Sequence, residues 1–457
     1  MGEGVLTAAA RPERSAADHG RQAALFSDAG LSRRSDRGLL LGGVLVEEIA
    51  QRVGTPAYVY NAGSIRARFA ALETALAPVN HRICYAVKAN SSLAVLRVLQ
   101  ELGAGCDIVS TGELTRALLA GFAPERIVFS GVGKTVEELS EARRAGIGQI
   151  NIESLEELDA LGAMADDGST APLQVGIRVN PDVTVDTHPY ITTGTAAAKF
   201  GIPADQVVET ARRIAAHQGL QLTGIAMHVG SQLLDTAPYL KGARRLAELV
   251  GAIRAAGIDS LRSIDLGGGL GIRYNDEMPL EPGTLADVIL PIVGSLGLAV
   301  HLEPGRYLVG SAGILLATVL YRKHSGGTDF VVVDAGMNDL VRPSHYHAHH
   351  EIVVARDRGT PVKRVDVVGP ICETGDFLAL ARPLPAVERG DVLAVLCAGA
   401  YGFVMSSTYN ARPRPPEVLV DGDRWAVARE RETPEDLLRG ERAEPLADAP
   451  GRSVGQA

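Results

Sequence analysis

Several short stretches of this chain end in side chains able to do chemistry. Residues 85–88 (YAVK) close an apolar run on Lys88, Asp107 lies near the start of a second run, and Arg178 lies in a third. His228 and Ser231 stand in HVGS, Gly267, Gly268 and Gly269 in DLGGG, and Glu303 and Arg306 in EPGR. A lysine closing an apolar strand either snorkels to solvent or presents a desolvated amine to a bound aldehyde as a Schiff-base former. The glycines make either a tight turn or a set of backbone N–H groups aimed at a phosphate. His228 is either a satisfied core histidine or a flat face for a ring. Glu303 either pairs with Arg306 or holds a proton on a pyridine nitrogen. An amine, an anion cradle, a flat imidazole and a carboxylate together match what pyridoxal phosphate needs.

Other motifs fall away. Gly133-Lys134-Thr135 has Val128 where a phosphate-binding P-loop needs its first glycine, and Ile272 breaks a dinucleotide-type G-x-G-x-x-G after Gly267. His345, His347, His349 and His350 crowd into HYHAHH. Two of them can converge on a metal ion, but no carboxylate or cysteine set accompanies them, so the stretch is expected to be a solvated, pH-sensitive surface and no metal is assigned.

Apolar runs at 83–88, 106–110, 127–130, 149–153, 173–180, 222–229, 263–267 and 298–303 alternate with helical patterns such as 92–102, 112–120, 136–145 and 239–256. Strands alternating with helices imply parallel βαβ units, and eight of them imply a (β/α)8 TIM-type barrel, with a doubly wound sheet as the alternative. The chemistry-bearing residues then share one topological place, the C-terminal ends of barrel strands. Beyond about residue 310 the runs 313–322, 329–334, 351–355, 364–368, 391–397, 417–420 and 425–429 lack long helices between most of them and read as a C-terminal all-β domain. The expected division is a disordered extension with at most one short helix (1–37), a segment joining the β domain (38–62), the barrel (63–309), the β domain (310–438) and a polar tail (439–457).

The chain has 457 residues and a formal charge of −9, which argues against nucleic acid and anionic membrane as partners. Cys84, Cys106, Cys372 and Cys397 are widely spaced, which suits reduced thiols in a cytoplasmic protein. The apolar run at 38–46 is too short and glycine-broken to span a membrane, and no secretory signal is recognised.

In this order along the chain, YAVKAN (85–90), HPYITTG (188–194), KFG (199–201), HVGSQ (228–232), DLGGGLG (265–271), EPGR (303–306), DAGMNDLVRP (334–343), GPICETGDF (369–377) and GAYG (399–402) resemble the diaminopimelate decarboxylase family, within the pyridoxal-phosphate decarboxylases that share the alanine racemase-type barrel. The resemblance implies decarboxylation of meso-diaminopimelate to L-lysine, the last step of lysine biosynthesis. It implies that Lys88 carries the cofactor, Glu303 binds the pyridinium nitrogen and His228 stacks on the ring. Ser231, Gly267, Gly268, Gly269, Gly305 and Tyr401 hold the phosphate, and Asp107, Arg178 and Arg306 complete the cofactor pocket. Arg306, Arg342, Tyr346, Glu373 and Tyr401 bind substrate, and Cys372 is the proton donor. Cys372 and Glu373 reach the site across a homodimer interface in this family, so active sites are shared.

Ornithine-type relatives usually show Cys-Asp where this chain has Cys372-Glu373, and no tyrosine adjoins Cys372 as a racemase would need. The stretch around Tyr346 is more basic than the family's usual L-Y-x-A-Y-H, and GVGK (131–134) replaces a common G-N-G-K. The alternatives are a decarboxylase of a related diamino acid in specialised metabolism and a non-catalytic paralogue, which the presence of Lys88 and Cys372 disfavours.

Overall fold

The computed structural model describes residues 16–165, 172–180 and 199–443. Eight parallel strands close on themselves: His81–Ala86, Gly105–Ile108, Ile127–Phe129, Gln149–Ile152, Leu173–Asn180, Leu220–Met227, Ser263–Asp265 and Ala299–Leu302, the last pairing back onto the first. The expected (β/α)8 barrel is therefore present. Its eighth strand is followed only by the four-residue helix Arg306–Val309. The missing outer helix is replaced by Ala62–Leu76, which precedes the first strand and packs between Pro282–Val293 and Leu93–Glu101. Ile65, Phe69, Leu72 and Leu76 form its buried stripe at helical spacing. Asn61 caps it, its Oδ1 accepting from Gly63 N at 2.9 Å.

A second sheet carries the strands Ala57–Asn61, Gly313–Ser325, Thr328–Val333, Val362–Val368, Phe377–Pro385, Glu417–Asp421 and Arg424–Arg429, with Val392–Val395 joined to Gly313–Ser325 and to Ile352–Val354. Ala57–Asn61 lies antiparallel to Gly313–Ser325 and parallel to Glu417–Asp421, and all five of its residues are buried. Tyr60 Oη donates to Glu417 Oε1 at 2.8 Å, so the buried carboxylate that Arg429 also pairs is not left bare. Phe377–Pro385 was not foreseen. It carries Pro383 and Pro385 and pairs on one side only, and an edge strand tolerates residues that donate no ladder hydrogen bond.

The reading of 1–37 as a disordered extension is corrected over its described part. Ala16–Ala29 is a helix, Leu31–Arg33 a strand, and Leu25 and Ala29 are 1% exposed. They join Leu39, Leu41, Val44 and Ile49 in a core cluster that extends to Ile272, Tyr274 and Ile314. The helix shows weak periodicity because only a narrow stripe is buried. Its seat is built by distant chain, including Arg68, which pairs with Asp28 at 3.1 Å. Residues 38–46 form two short strands of a three-stranded antiparallel sheet. Among the described residues no helix is long and apolar enough to cross a membrane. Residues 1–15, and 444–457 of the expected tail, lie outside the described residues.

Leu25→Ala is expected to cost about 2–4 kcal/mol, the range for emptying a buried leucine site. Chemical denaturation checks it, and an unchanged midpoint would mean that this helix is not part of the folded core.

Candidate active site

Lys88 sits in the single turn Val87–Ala89 that follows the first barrel strand. The turn is held from both flanks. Tyr85 Oη donates to the Asn90 carbonyl at 2.8 Å, Asn90 Nδ2 donates to Gly399 O at 2.9 Å, and Tyr401 N–H donates to Ala89 O at 2.8 Å. YAVKAN and GAYG are therefore one hydrogen-bonded unit joining the barrel to the β sheet. Asn90 was missed at the sequence level, although its place two residues after the lysine in a quoted motif was a usable signal.

The amine of Lys88 donates to Asp107 Oδ2 at 2.8 Å. Asp107 is fully buried, and its Oδ1 has no hydrogen-bond partner. Burial opposes the ammonium charge, but Asp107, Glu303 and Tyr401 outweigh it and hold the amine above the ordinary lysine range. Glu303 follows the eighth strand with Oε1 buried and unpartnered. Burial, reinforced by Asp107 and Asp265, pushes its carboxyl well above the usual range, and burial raises Asp265 in the same direction. Two desolvated carboxyls this close favour the protonated form until a cation arrives.

Arg178 leans out of the fifth strand and donates to Glu153 Oε1 at 2.8 Å. Glu153 also accepts from Gly131 N at 2.6 Å and Gly201 N at 3.2 Å, so it organises three loops. It too was missed, though it stands at a strand end where chemistry was expected. Burial, with Arg178 and Lys88 nearby, drives the His228 pKa far below normal. The ring is neutral, and its Nδ1 accepts from Gly268 N at 3.2 Å.

The glycine-rich turn divides its labour. Gly267 N–H is used on Asp265 Oδ1 at 2.8 Å and Gly268 N–H on His228. Gly269 and Gly305 N–H form no hydrogen bond among the described residues, and both glycines line the cavity that also holds Lys88, His228, Ser231, Glu303 and Tyr401. A side chain at Gly268 would place its Cβ 2.2 Å from Glu303 O, and Gly269 has φ +108°. A pyridine aldehyde bearing a phosphate needs an amine, an acceptor for a ring N–H and a cradle of free donors. Lys88 Nζ, the orphaned Glu303 Oε1, and the N–H groups of Gly269 and Gly305 fit those needs.

Arg306 does not pair with Glu303. Its Nη1 donates to Tyr274 Oη at 2.7 Å, its Nη2 donates to Ser231 Oγ at 2.9 Å, and it lies 4.9 Å from the Tyr401 ring centroid. Arg342 lies 4.9 Å over Tyr274 and 5.8 Å from the Tyr346 ring. Among the described residues neither arginine has a carboxylate partner. Burial, with repulsion from Arg306, lowers the Arg342 pKa. Tyr274 was not foreseen, because its role depends on what packs around it.

Cys372 and Glu373 are not in this cavity. Both are exposed, with Cys372 N–H donating to Asn410 Oδ1 at 2.8 Å and Glu373 beside Tyr409. The expectation of a solvated histidine surface at 345–350 is corrected in part. His345 and His347 are exposed, but His350 is fully buried, and His349 bonds Arg382, which pairs with Glu351 at 2.9 Å. Segments distant in sequence bring a donor, Arg382, to His349 and an acceptor, Leu396 O, to His350, which the local pattern does not display. HPYITTG at 188–194 lies outside the described residues.

Residues 62–310 match the model of the pyridoxal-dependent decarboxylase, pyridoxal binding domain. Diaminopimelate decarboxylase of Pseudomonas aeruginosa is 49% identical over 407 residues, spanning 89% of this chain and 97% of that one. The enzyme of that name from Aquifex aeolicus is 46% identical over 400 residues, spanning 87% and 94%. The crystal structure of diaminopimelate decarboxylase from Helicobacter pylori complexed with L-lysine superposes with a TM-score of 0.83 at 40% identity, covering 86% of this chain and 98% of that one. Identity of this depth along nearly the whole of both chains, together with a pocket built for pyridoxal phosphate, places this protein in the diaminopimelate decarboxylase family of pyridoxal-dependent decarboxylases.

Proposed function

We propose that this enzyme removes the carboxylate from the D-configured centre of meso-diaminopimelate and releases L-lysine and carbon dioxide in the cytoplasm. The observation that carries the reading is the pair of buried arginines, Arg306 and Arg342, flanking one tyrosine and, among the described residues, paired with no carboxylate. Two desolvated guanidiniums are costly unless a ligand brings the anion. A substrate whose far end carries a carboxylate supplies it, and the rings of Tyr346 and Tyr401 lie against Arg342 and Arg306.

When bound, pyridoxal phosphate supplies the electron sink for the pair left as carbon dioxide departs. The chain supplies the rest. Glu303 Oε1 keeps the ring nitrogen protonated, because an adjacent anion favours the charged form. His228 would offer a neutral face, Ser231, Gly269 and Gly305 would hold the phosphate, and Lys88 would hold the aldehyde carbon. Asp107 pairs with the Lys88 ammonium until that amine is engaged. Arg178, fixed by Glu153, contributes positive charge that opposes protonation of His228. The thiol of Cys372 delivers a proton to the substrate Cα, and Glu373 binds the far ammonium. Both are exposed on one protomer, so we assign the active unit as a homodimer in which each site takes Cys372 and Glu373 from the other copy.

Lys88→Ala is expected to abolish the cofactor's visible absorbance and its capture by borohydride, and turnover falls by orders of magnitude. A covalent adduct retained in that variant would move the attachment site elsewhere. Mixing Lys88→Ala with Cys372→Ala subunits is expected to restore roughly a quarter of wild-type sites, since a twofold dimer then holds one complete site in each mixed pair. Failure to recover activity after verified subunit exchange would argue for self-contained protomers. L-Lysine offered as a substrate must place its one carboxylate at the reacting carbon, leaving the arginine donors unmatched. Its kcat/KM should therefore trail meso-diaminopimelate by roughly 10⁴, the scale at which polar sites reject truncated analogues. Arg342→Ala should narrow that gap, and equal turnover of the two substrates by the wild-type enzyme would sink the assignment.

A further inference from the structure

We propose that His350 is a positioning residue that aims Arg342 at the carboxylate on the far end of the substrate. The inference rests on the reading of Arg342 given above. His350 is fully buried, and its Nδ1 lies 2.8 Å from the carbonyl oxygen of Leu396. A carbonyl only accepts, so Nδ1 carries the proton. Nε2 of the neutral ring is then an acceptor, and it faces Arg342 Nε at 3.3 Å. The tautomer is thus set by a strand of the β sheet, and the arginine reads it.

A guanidinium grips a carboxylate through two parallel N–H bonds, using either Nε with one Nη or both Nη groups. His350 occupies the Nε edge. The two Nη groups of Arg342 form no hydrogen bond among the described residues, so the end-on fork is the one left open. Tyr274 supplies the second constraint. Its ring lies under Arg342 at 4.9 Å and packs edge-on to His350, with centroids 5.3 Å apart, while its hydroxyl accepts from Arg306. One tyrosine therefore spaces both arginines, and one histidine sets the direction of the second.

The choice of residue has a physical reason. Arg342 is repelled by Arg306 and needs an acceptor to hold it in place. A carboxylate at position 350 would hold it more strongly but would neutralise the charge meant for the ligand. A neutral imidazole supplies the acceptor and leaves the charge available.

The test uses the holoenzyme and three variants. His350→Asn can still donate to Leu396 O but is too short to reach Arg342. His350→Gln can restore an acceptor near the Nε2 position. Arg342→Ala removes the fork itself. Each is assayed with meso-diaminopimelate and by competition with L-lysine, which as product keeps the far carboxylate, and with 1,5-diaminopentane, which has none. His350→Asn is expected to raise KM for the substrate and Ki for L-lysine about 10- to 100-fold, the range for a lost hydrogen bond to a charged group. The Ki of 1,5-diaminopentane and the cofactor absorbance stay at wild-type values, and His350→Gln recovers most of the loss. Unchanged L-lysine competition in His350→Asn, or equal weakening of both competitors, overturns the proposal. If Arg342→Ala itself weakens both competitors alike, the reading of Arg342 has failed instead. A reading on the unmodified side chain comes from ¹⁵N shifts of histidine-labelled wild-type enzyme, with the His350 signal assigned by its loss in His350→Gln. A neutral ring protonated on Nδ1 is expected, and a charged ring or an Nε2-protonated one overturns the proposal.

Discussion

Charge held at buried strand ends governs the mouth of this barrel. Lys88, Asp107, Glu153, Arg178, Asp265 and Glu303 gather where the strands end; the carboxylates of Asp107, Glu153 and Asp265 are buried, and Glu303 is half-buried with its Oε1 shut off from solvent. Ionised groups in such a place are costly unless paired and hydrogen-bonded. The protein satisfies part of that demand itself, through the Lys88–Asp107 and Arg178–Glu153 pairs. Among the described residues Asp107 Oδ1, Asp265 Oδ2 and Glu303 Oε1 have no partner. Of these, Glu303 Oε1 fits the single N–H of a pyridinium ring.

Such a site has to be rigid, because an ångström of slack would let water in or let the carboxyls relax onto each other. The stiffness comes from the join between the two sheets. The Lys88 turn is bonded to the GAYG loop through Ala89 O and Asn90 Nδ2, and Tyr401 adopts φ +55° in that loop, a strained conformation for a non-glycine residue. Ala57–Asn61, buried between Gly313–Ser325 and Glu417–Asp421, leads directly into the helix that completes the barrel's outer ring. Barrel and sheet therefore share elements as well as an interface, and the amine is positioned by both.

The substrate end of the pocket depends on a different part of the chain. Tyr274, which spaces the two arginines, belongs to the same core cluster as Leu25, Leu39 and Ile49. Arg21 reaches the adjoining loop and donates to Asn275 Oδ1 at 3.1 Å. The N-terminal helix is thus packed behind the wall that reads the ligand, and its burial bears on recognition as well as on stability.

Local pattern was enough to read the eight barrel strands, several of the helices between them and most of the β strands, because one-face burial writes period 3.6 or period 2 directly into a chain. The convergence of Lys88, His228 and Glu303 was legible for a related reason, since strand ends in a barrel converge whatever the loops do. Tertiary packing decided the rest. It turned two glycine N–H groups toward protein acceptors and left Gly269 and Gly305 as the free donors. It seated a weakly amphipathic N-terminal helix on distant residues, made an edge strand of a proline-bearing segment, and buried His350 against a carbonyl 46 residues away. It gave Asn90, Glu153 and Tyr274 their roles through partners remote in the chain. A hydrogen bond between such partners leaves no periodicity in a sequence, and its donor and acceptor become neighbours only when the barrel has closed.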